Sequence, residues 1–201
     1  MKNIDSWKTS IVPYQMQLEM NLKELSSVYP PHWNTFISLL KEKADSIKRV
    51  VDIGCGAGIY SELSKRMNVD YIGYDYSPFA IEVCESNWDA SFQCLGYESM
   101  TTDHINDDDL LVANAIFDVL PNGDEALSSI LKLKPKMILS QRVRIVDDKS
   151  HSVNHSAYGI ETYMYFHNKK ILFDICRDAG YNISLVKLNE NVYDMYNERE
   201  N

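Results

Sequence analysis

Hydrophobic positions along the chain fall into two rhythms. Leu18, Leu22 and Leu25 recur at i, i+4, i+7, and Trp33, Phe36, Ile37 and Leu40 at i, i+3, i+4, i+7, the spacing of a helical face. Two amphipathic helices are therefore expected on either side of the Tyr29-Pro30-Pro31 break, forming an N-terminal cap over residues 1–48. From Arg49 short apolar runs alternate with helical periods. Strands are expected at Arg49 to Ile53, Tyr71 to Tyr74, Phe92 to Leu95, Leu110 to Ala113 and Met137 to Ser140. Helices are expected through Leu63, through Ile81 and Cys84, and around Ala126 to Leu133. Strands separated by helices of this length imply parallel pairing and right-handed crossovers, hence a doubly wound α/β sheet.

Beyond Ser140 the pattern predicts a long loop. One helical face then returns with Ile171, Leu172, Ile175, Cys176 and Ala179, and Gly180 suits the left-handed residue that ends a helix. Two last strands, Asn182 to Leu188 and Asn191 to Tyr196, flank the turn at Asn189-Glu190 and suit an antiparallel hairpin. With 201 residues, 45% of them hydrophobic, the chain can bury one substantial core, so residues 1–201 are read as a single domain with its α/β core at 49–201.

A net charge of −9 argues against a partner gripped by its phosphate backbone, because such binding needs clustered Lys and Arg. No nucleic-acid partner is expected. No stretch approaches the ~20 apolar residues that span a bilayer, and none near the start reads as a leader, so a soluble, cytoplasmic protein without membrane contact is expected. Cys55, Cys84, Cys94 and Cys176 form no CxxC pair and read as buried free thiols, with no metal site. Asp107-Asp108-Asp109 reads as a solvated turn before a strand.

Candidate chemistry begins at Val50-Val51-Asp52-Ile53-Gly54-Cys55-Gly56-Ala57-Gly58, where three alternate glycines follow an apolar strand and precede a helix. Glycines there let backbone turn sharply and a ligand approach closely, which suits a nucleoside cofactor at the carboxyl edge of the sheet. A nicotinamide fingerprint would need its third glycine at Ile59. Asp52 would repel a pyrophosphate but hold an ammonium group, favouring a cofactor with an amino-acid end. Asp75 closes the second strand, where a carboxylate can accept from both ribose hydroxyls, and Ser77-Pro78 starts the next helix at once.

With these motifs the chain resembles the class I S-adenosylmethionine-dependent methyltransferases, from about Val50 to Tyr196. The segment from Leu110 to Phe117 is similar to that family's fourth strand and active-site turn, and Leu133 to Leu139 to its segment entering the fifth, although Lys136-Met137 stands where a glycine pair is usual. The resemblance implies a Rossmann-like seven-stranded sheet ending in a reversed hairpin, with S-adenosyl-L-methionine as cofactor. It implies that Asp52 with Gly54, Cys55, Gly56, Ala57 and Gly58 faces the methionine part, and that Asp75 with Tyr76 meets the ribose. Tyr97 and Glu98 would border the adenine, and Asn114 and Ala115 the reacting end. A narrower likeness, from Ile138 to Arg144 and again from Tyr163 to Asn168, is to methyltransferases among surface-polysaccharide biosynthesis proteins, which tilts the acceptor toward a small molecule or glycan.

For a hydroxyl acceptor a positioned base adds about 10²–10⁴-fold, and His is the commonest choice near neutral pH. His151 and His155, in a stretch rich in His and Tyr, are the candidates; Tyr163, Arg142 and Arg144 are candidate acceptor contacts, the arginines as a clamp for phosphate or carboxylate. Asn114 is followed by Ala115-Ile116-Phe117, without the Pro-Pro-aromatic run of enzymes that methylate exocyclic amines. The alternatives are a non-methyl transferase on the same fold and a catalytically silent cofactor-binding partner domain.

Overall fold

The computed structural model describes residues 4–199. A 3-10 turn, Ile4–Lys8, leads into α1 (Val12–Leu25) and α2 (Pro31–Glu42). The α/β core follows: β1 (Arg49–Ile53), α3 (Ile59–Arg66), β2 (Asp70–Asp75), α4 (Pro78–Asn87), β3 (Ser91–Cys94), β4 (Asp109–Asn114), α5 (Gly123–Leu131) and β5 (Met137–Val146). After these come β6 (His151–Ala157), β7 (Ile160–Asn168), α6 (Lys169–Asp178), β8 (Tyr181–Lys187) and β9 (Val192–Arg199).

β3, β2, β1, β4 and β5 pair in parallel in that order, β9 runs antiparallel beside β5, and β8 antiparallel beside β9. These seven strands are the doubly wound sheet with a reversed terminal hairpin that the periodicity predicts. Leu110, Leu111, Val112 and Ala113 of β4 have no exposed surface, as a central strand covered on both faces requires. Successive residues point to opposite faces. Val50, Leu110 and Leu139 thus pack with Trp33, Phe36 and Leu40 of α2 and Leu63 of α3. Val51, Leu111 and Ile138 pack with Leu127 and Ile130 of α5 and Leu172 of α6. Each such buried side chain contributes about 1.5–3 kcal/mol.

Four expectations need correction. The segment read as a long loop forms the hairpin β6–β7, whose β7 pairs in parallel with the far end of β5 at Ile145↔His167 and Val146↔Asn168. Its β6 is exposed along nearly its whole length, so no burial alternation marks it; the cue was Tyr158-Gly159, whose φ values of +52° and +78° make a two-residue hairpin turn. Asp109 is not solvated: it opens β4 fully buried and holds the Arg49 guanidinium through two bonds of 2.6 and 2.9 Å. Cys94 is exposed, whereas the other three thiols are buried. Finally, α1 buries only part of its predicted leucine face: Leu18 and Leu25 pack against apolar clusters, but the third leucine does not. Leu22 is exposed, and the row of Tyr14, Gln17, Asn21 and Glu24 faces a cavity that α1 covers. No helix among the described residues is long and apolar enough to cross a membrane.

Candidate active site

β1 delivers its chain into the glycine loop at the carboxyl edge of the sheet. Gly54, Gly56 and Gly58 take φ of +68°, +55° and +75°, a region that favours glycine. The loop is laced to β2: the Gly54 and Cys55 amides both donate to the Tyr74 carbonyl, at 2.7 and 3.0 Å, and the Gly56 amide donates to Asp75 Oδ2 at 3.0 Å. Asp75 Oδ1 accepts from the Ser77 amide at 2.9 Å. Ser77 Oγ does not cap α4; it donates to the Trp7 carbonyl and ties the N-terminal turn to the site.

A cavity of about 1230 Å³ opens above this edge. Its wall includes Asp52, Gly54, Cys55, Gly56, Ala57, Asp75, Tyr76, Tyr97, Glu98, Asn114 and Ala115 from the predicted cofactor set, and Arg142, Arg144, His155 and Tyr163 from the predicted acceptor set. Two predicted residues lie elsewhere. Gly58, where α3 begins, packs against α4 and β3, and an added Cβ would meet Cys84 Sγ at 2.8 Å and Trp88 Cδ1 at 2.9 Å, so its role is in packing and not toward a ligand. His151 shares a face of β6 with His155 but stands four residues away, roughly 13 Å along a strand, and stacks on Phe166.

Buried carboxyls dominate the electrostatics at the glycine loop. Asp52 is 1% exposed; its Oδ2 accepts from the Tyr71 hydroxyl at 2.8 Å, and its Oδ1 has no hydrogen-bond partner. Burial pushes its pKa up to about 7, opposed by the Tyr71 bond and reinforced by Asp75. The Asp75 carboxyl is likewise pushed up to about 6 by burial, opposed by its bonds to the Ser77 and Gly56 amides. A carboxylate offers about four lone-pair sites, so with two amide donors bound Asp75 keeps about two free for further donors.

The N-terminal segment completes the wall with Trp7, Gln17, Glu24 and His32, none of them a predicted site residue. The Trp7 indole donates to Thr162 Oγ1 of β7 at 3.3 Å, and its ring meets Tyr158 edge-on, so the hairpin and the first turn close over the cavity together. His32 is pushed down to about 3 by burial, with Arg142 acting in the same direction, and is a neutral imidazole. Asp118, also missed, lies in the turn after β4 and forms an ion pair with Arg144.

A family model described as a methyltransferase domain matches residues 44–198. The chain belongs to the methyltransferase domain family. Its fold is shared with magnesium protoporphyrin IX methyltransferase from Synechocystis with bound S-adenosylmethionine, at a TM-score of 0.66 and 12% identity over 99% of this chain and 92% of that one. The sugar N-methyltransferase KedS8 from Streptoalloteichus shares it at a TM-score of 0.65 and 8% identity, covering 92% of this chain and 93% of that one. In sequence, the ubiquinone biosynthesis O-methyltransferase of Cereibacter sphaeroides is 35% identical over 74 residues, 37% of this chain and 28% of that protein. That of Azorhizobium caulinodans is 37% identical over 59 residues, 29% and 23% of the two chains. The matched stretch thus spans about a quarter of these curated relatives, which act in ubiquinone biosynthesis and not in surface-polysaccharide synthesis.

As a methyltransferase domain the chain takes S-adenosylmethionine, and its residues suit that molecule. The orphaned Asp52 Oδ1 is matched in charge to an ammonium group. If it takes that role, affinity rises with pH through about 7, as Asp52 ionises, until the ligand's own ammonium titrates. Below that value affinity falls by up to about tenfold per unit. Calorimetric titrations on both sides of it check this, and Asp52→Asn should bind weakly with a flat profile. A profile unchanged by Asp52→Asn would remove Asp52 from the ligand. In the free protein the same shift acts on stability. The unfolded chain releases this proton near pH 4, so stability falls as pH rises from about 4 to 7.

Proposed function

We propose that this domain transfers the methyl group of S-adenosylmethionine to a hydroxyl oxygen of a small-molecule or glycan acceptor, with the helical cap and the α/β core working as one unit. The observation that carries the reading is a cavity whose wall holds both the glycine-loop residues and a second set of polar residues, His32, Arg142, His155 and Tyr163. The relatives named as O-methyltransferases favour oxygen, and a sugar N-methyltransferase of the same fold favours a small polar acceptor.

When bound, the cofactor supplies an electrophilic methyl group on a sulfonium, whose departure as a neutral thioether needs no protonation. The chain's tasks are then alignment and exclusion of water. Asp52 holds the ammonium, Asp75 the ribose hydroxyls, and Tyr97 and Glu98 border the base. Trp7 and the hairpin shield the reacting end from solvent. His155, at the cavity rim, accepts the acceptor's hydroxyl proton as the oxygen bonds carbon.

Incubation with methyl-labelled S-adenosylmethionine and a panel of sugars and small phenols tests the reading. Label should pass to a hydroxyl of at least one, His155→Ala should lower kcat by about 10²–10⁴-fold with cofactor affinity intact, and His151→Ala should change neither. Label on nitrogen alone would sink the oxygen assignment, and full activity in His155→Ala would remove that residue from the chemistry.

A further inference from the structure

The backbone at Arg142 is unusual. β5 carries a bulge where its register against β9 shifts between Ser140 and Val143, and within it Arg142 takes φ +58°, a conformation unfavourable for any residue with a Cβ. Buried groups hold it there. The Arg142 amide donates to Oδ1 of the fully buried Asp194 at 3.1 Å. The preceding Gln141 is fixed by the Tyr60 hydroxyl and by Asp194 Oδ2. Strain sustained in this way at a cavity wall marks a position where direction of the side chain matters more than backbone ease.

That direction aims a guanidinium into the acceptor end. Nε donates to Asn114 Oδ1 at 2.9 Å, which fixes the plane of the group, and no hydrogen bond among the described residues occupies its two terminal nitrogens. Arg144, two residues on, is by contrast paired with the buried Asp118. Glu24 on α1 feels the Arg142 charge but forms no ion pair with it among the described residues. Asn114 is neutral, so Arg142 brings into the cavity a positive charge without a contacting counter-charge, presented as a fixed fork.

We propose that the acceptor carries an oxyanion group, a carboxylate or a phosphate, which seats on the terminal nitrogens of Arg142. A planar guanidinium with one edge fixed offers two parallel donors at the spacing of two oxyanion oxygens, and a counter-charge from the ligand completes what the protein leaves open. The inference rests on reading this end of the cavity as the acceptor site, and it narrows the acceptor to acidic small molecules or phosphorylated or acidic sugars.

Calorimetry on the protein saturated with S-adenosylhomocysteine tests it, with inorganic phosphate and, separately, benzoate as probes. At least one should bind saturably to the wild type and on the order of tenfold or more weakly to Arg142→Gln, with S-adenosylhomocysteine affinity unchanged. Arg142→Gly, which adopts the same φ without a Cβ, guards against misfolding and should show the same loss. Binding of phosphate alone assigns a phosphorylated acceptor; binding of benzoate alone assigns a carboxylate. The proposal is overturned if neither probe binds, or if both variants bind as the wild type does. Failure to bind S-adenosylhomocysteine would instead count against the cofactor site. Methyl transfer to neutral acceptors as fast as to acidic ones would overturn this inference and leave the methyl-transfer reading standing.

Discussion

Asp75→Ala is expected to weaken S-adenosylmethionine binding by about 10²–10⁴-fold. Two hydroxyl donors to a buried carboxylate contribute about 1.5–3 kcal/mol each, and every 1.4 kcal/mol is about tenfold in affinity. The substitution also frees the Gly56 and Ser77 amides that Asp75 holds at 3.0 and 2.9 Å, so the loop loses its tie to β2 along with its ligand contact. Asp75→Asn separates the two effects, since its amide oxygen still accepts one of these bonds. Calorimetric titration of both variants is the check. A loss smaller than about tenfold in Asp75→Ala would place the ribose elsewhere.

Gly58→Ala is expected to destabilise the fold by about 2–5 kcal/mol, from about 1–2 kcal/mol for a left-handed residue with a Cβ and about 1–3 kcal/mol for overpacking. Its Cβ would sit 2.8 Å from Cys84 Sγ, 2.9 Å from Trp88 Cδ1 and 3.1 Å from Phe92 Cε1. None of these yields easily: the thiol donates to the Gly56 carbonyl and the indole to the Ala57 carbonyl. For a domain of this size the melting temperature should fall by roughly 10 °C. Gly159→Ala is the control, having φ +78° but nothing within 4 Å of an added Cβ, so it bears the backbone strain alone. Equal melting temperatures for the two variants would refute the packing role.

The sheet was legible because its central strands are buried on both faces, so Leu110 to Ala113 stands out as an uninterrupted apolar run and Val50 to Ile53 as one broken only by Asp52. The cofactor edge was legible because a left-handed loop demands glycine, and a demand on backbone leaves a local trace. What escaped lacks such traces. β6 buries almost nothing, so alternation could not reveal it. The row of α1 that faces the cavity, Tyr14, Gln17, Asn21 and Glu24, is mostly polar, and periodicity that weighs only apolar residues finds the neighbouring Leu18 and Leu25 but not this row. Arg142 was singled out for its charge, but its positive φ and the bulge depend on Asp194, far off in sequence. His32 and Asp118 became visible when the fold brought them to the same wall.

The family match begins at residue 44, after the second helix has ended. Trp7, Tyr14, Gln17, Glu24 and His32 all precede it, yet they form one side of the cavity. The matched part thus holds Asp52, the glycine loop and Asp75, while a stretch of chain outside it furnishes one wall of the same cavity. Any exchange of the domain's first forty or so residues would refurnish that wall and, through the bond from Ser77 to the Trp7 carbonyl, would also have to restore a tie to the edge that carries Asp75.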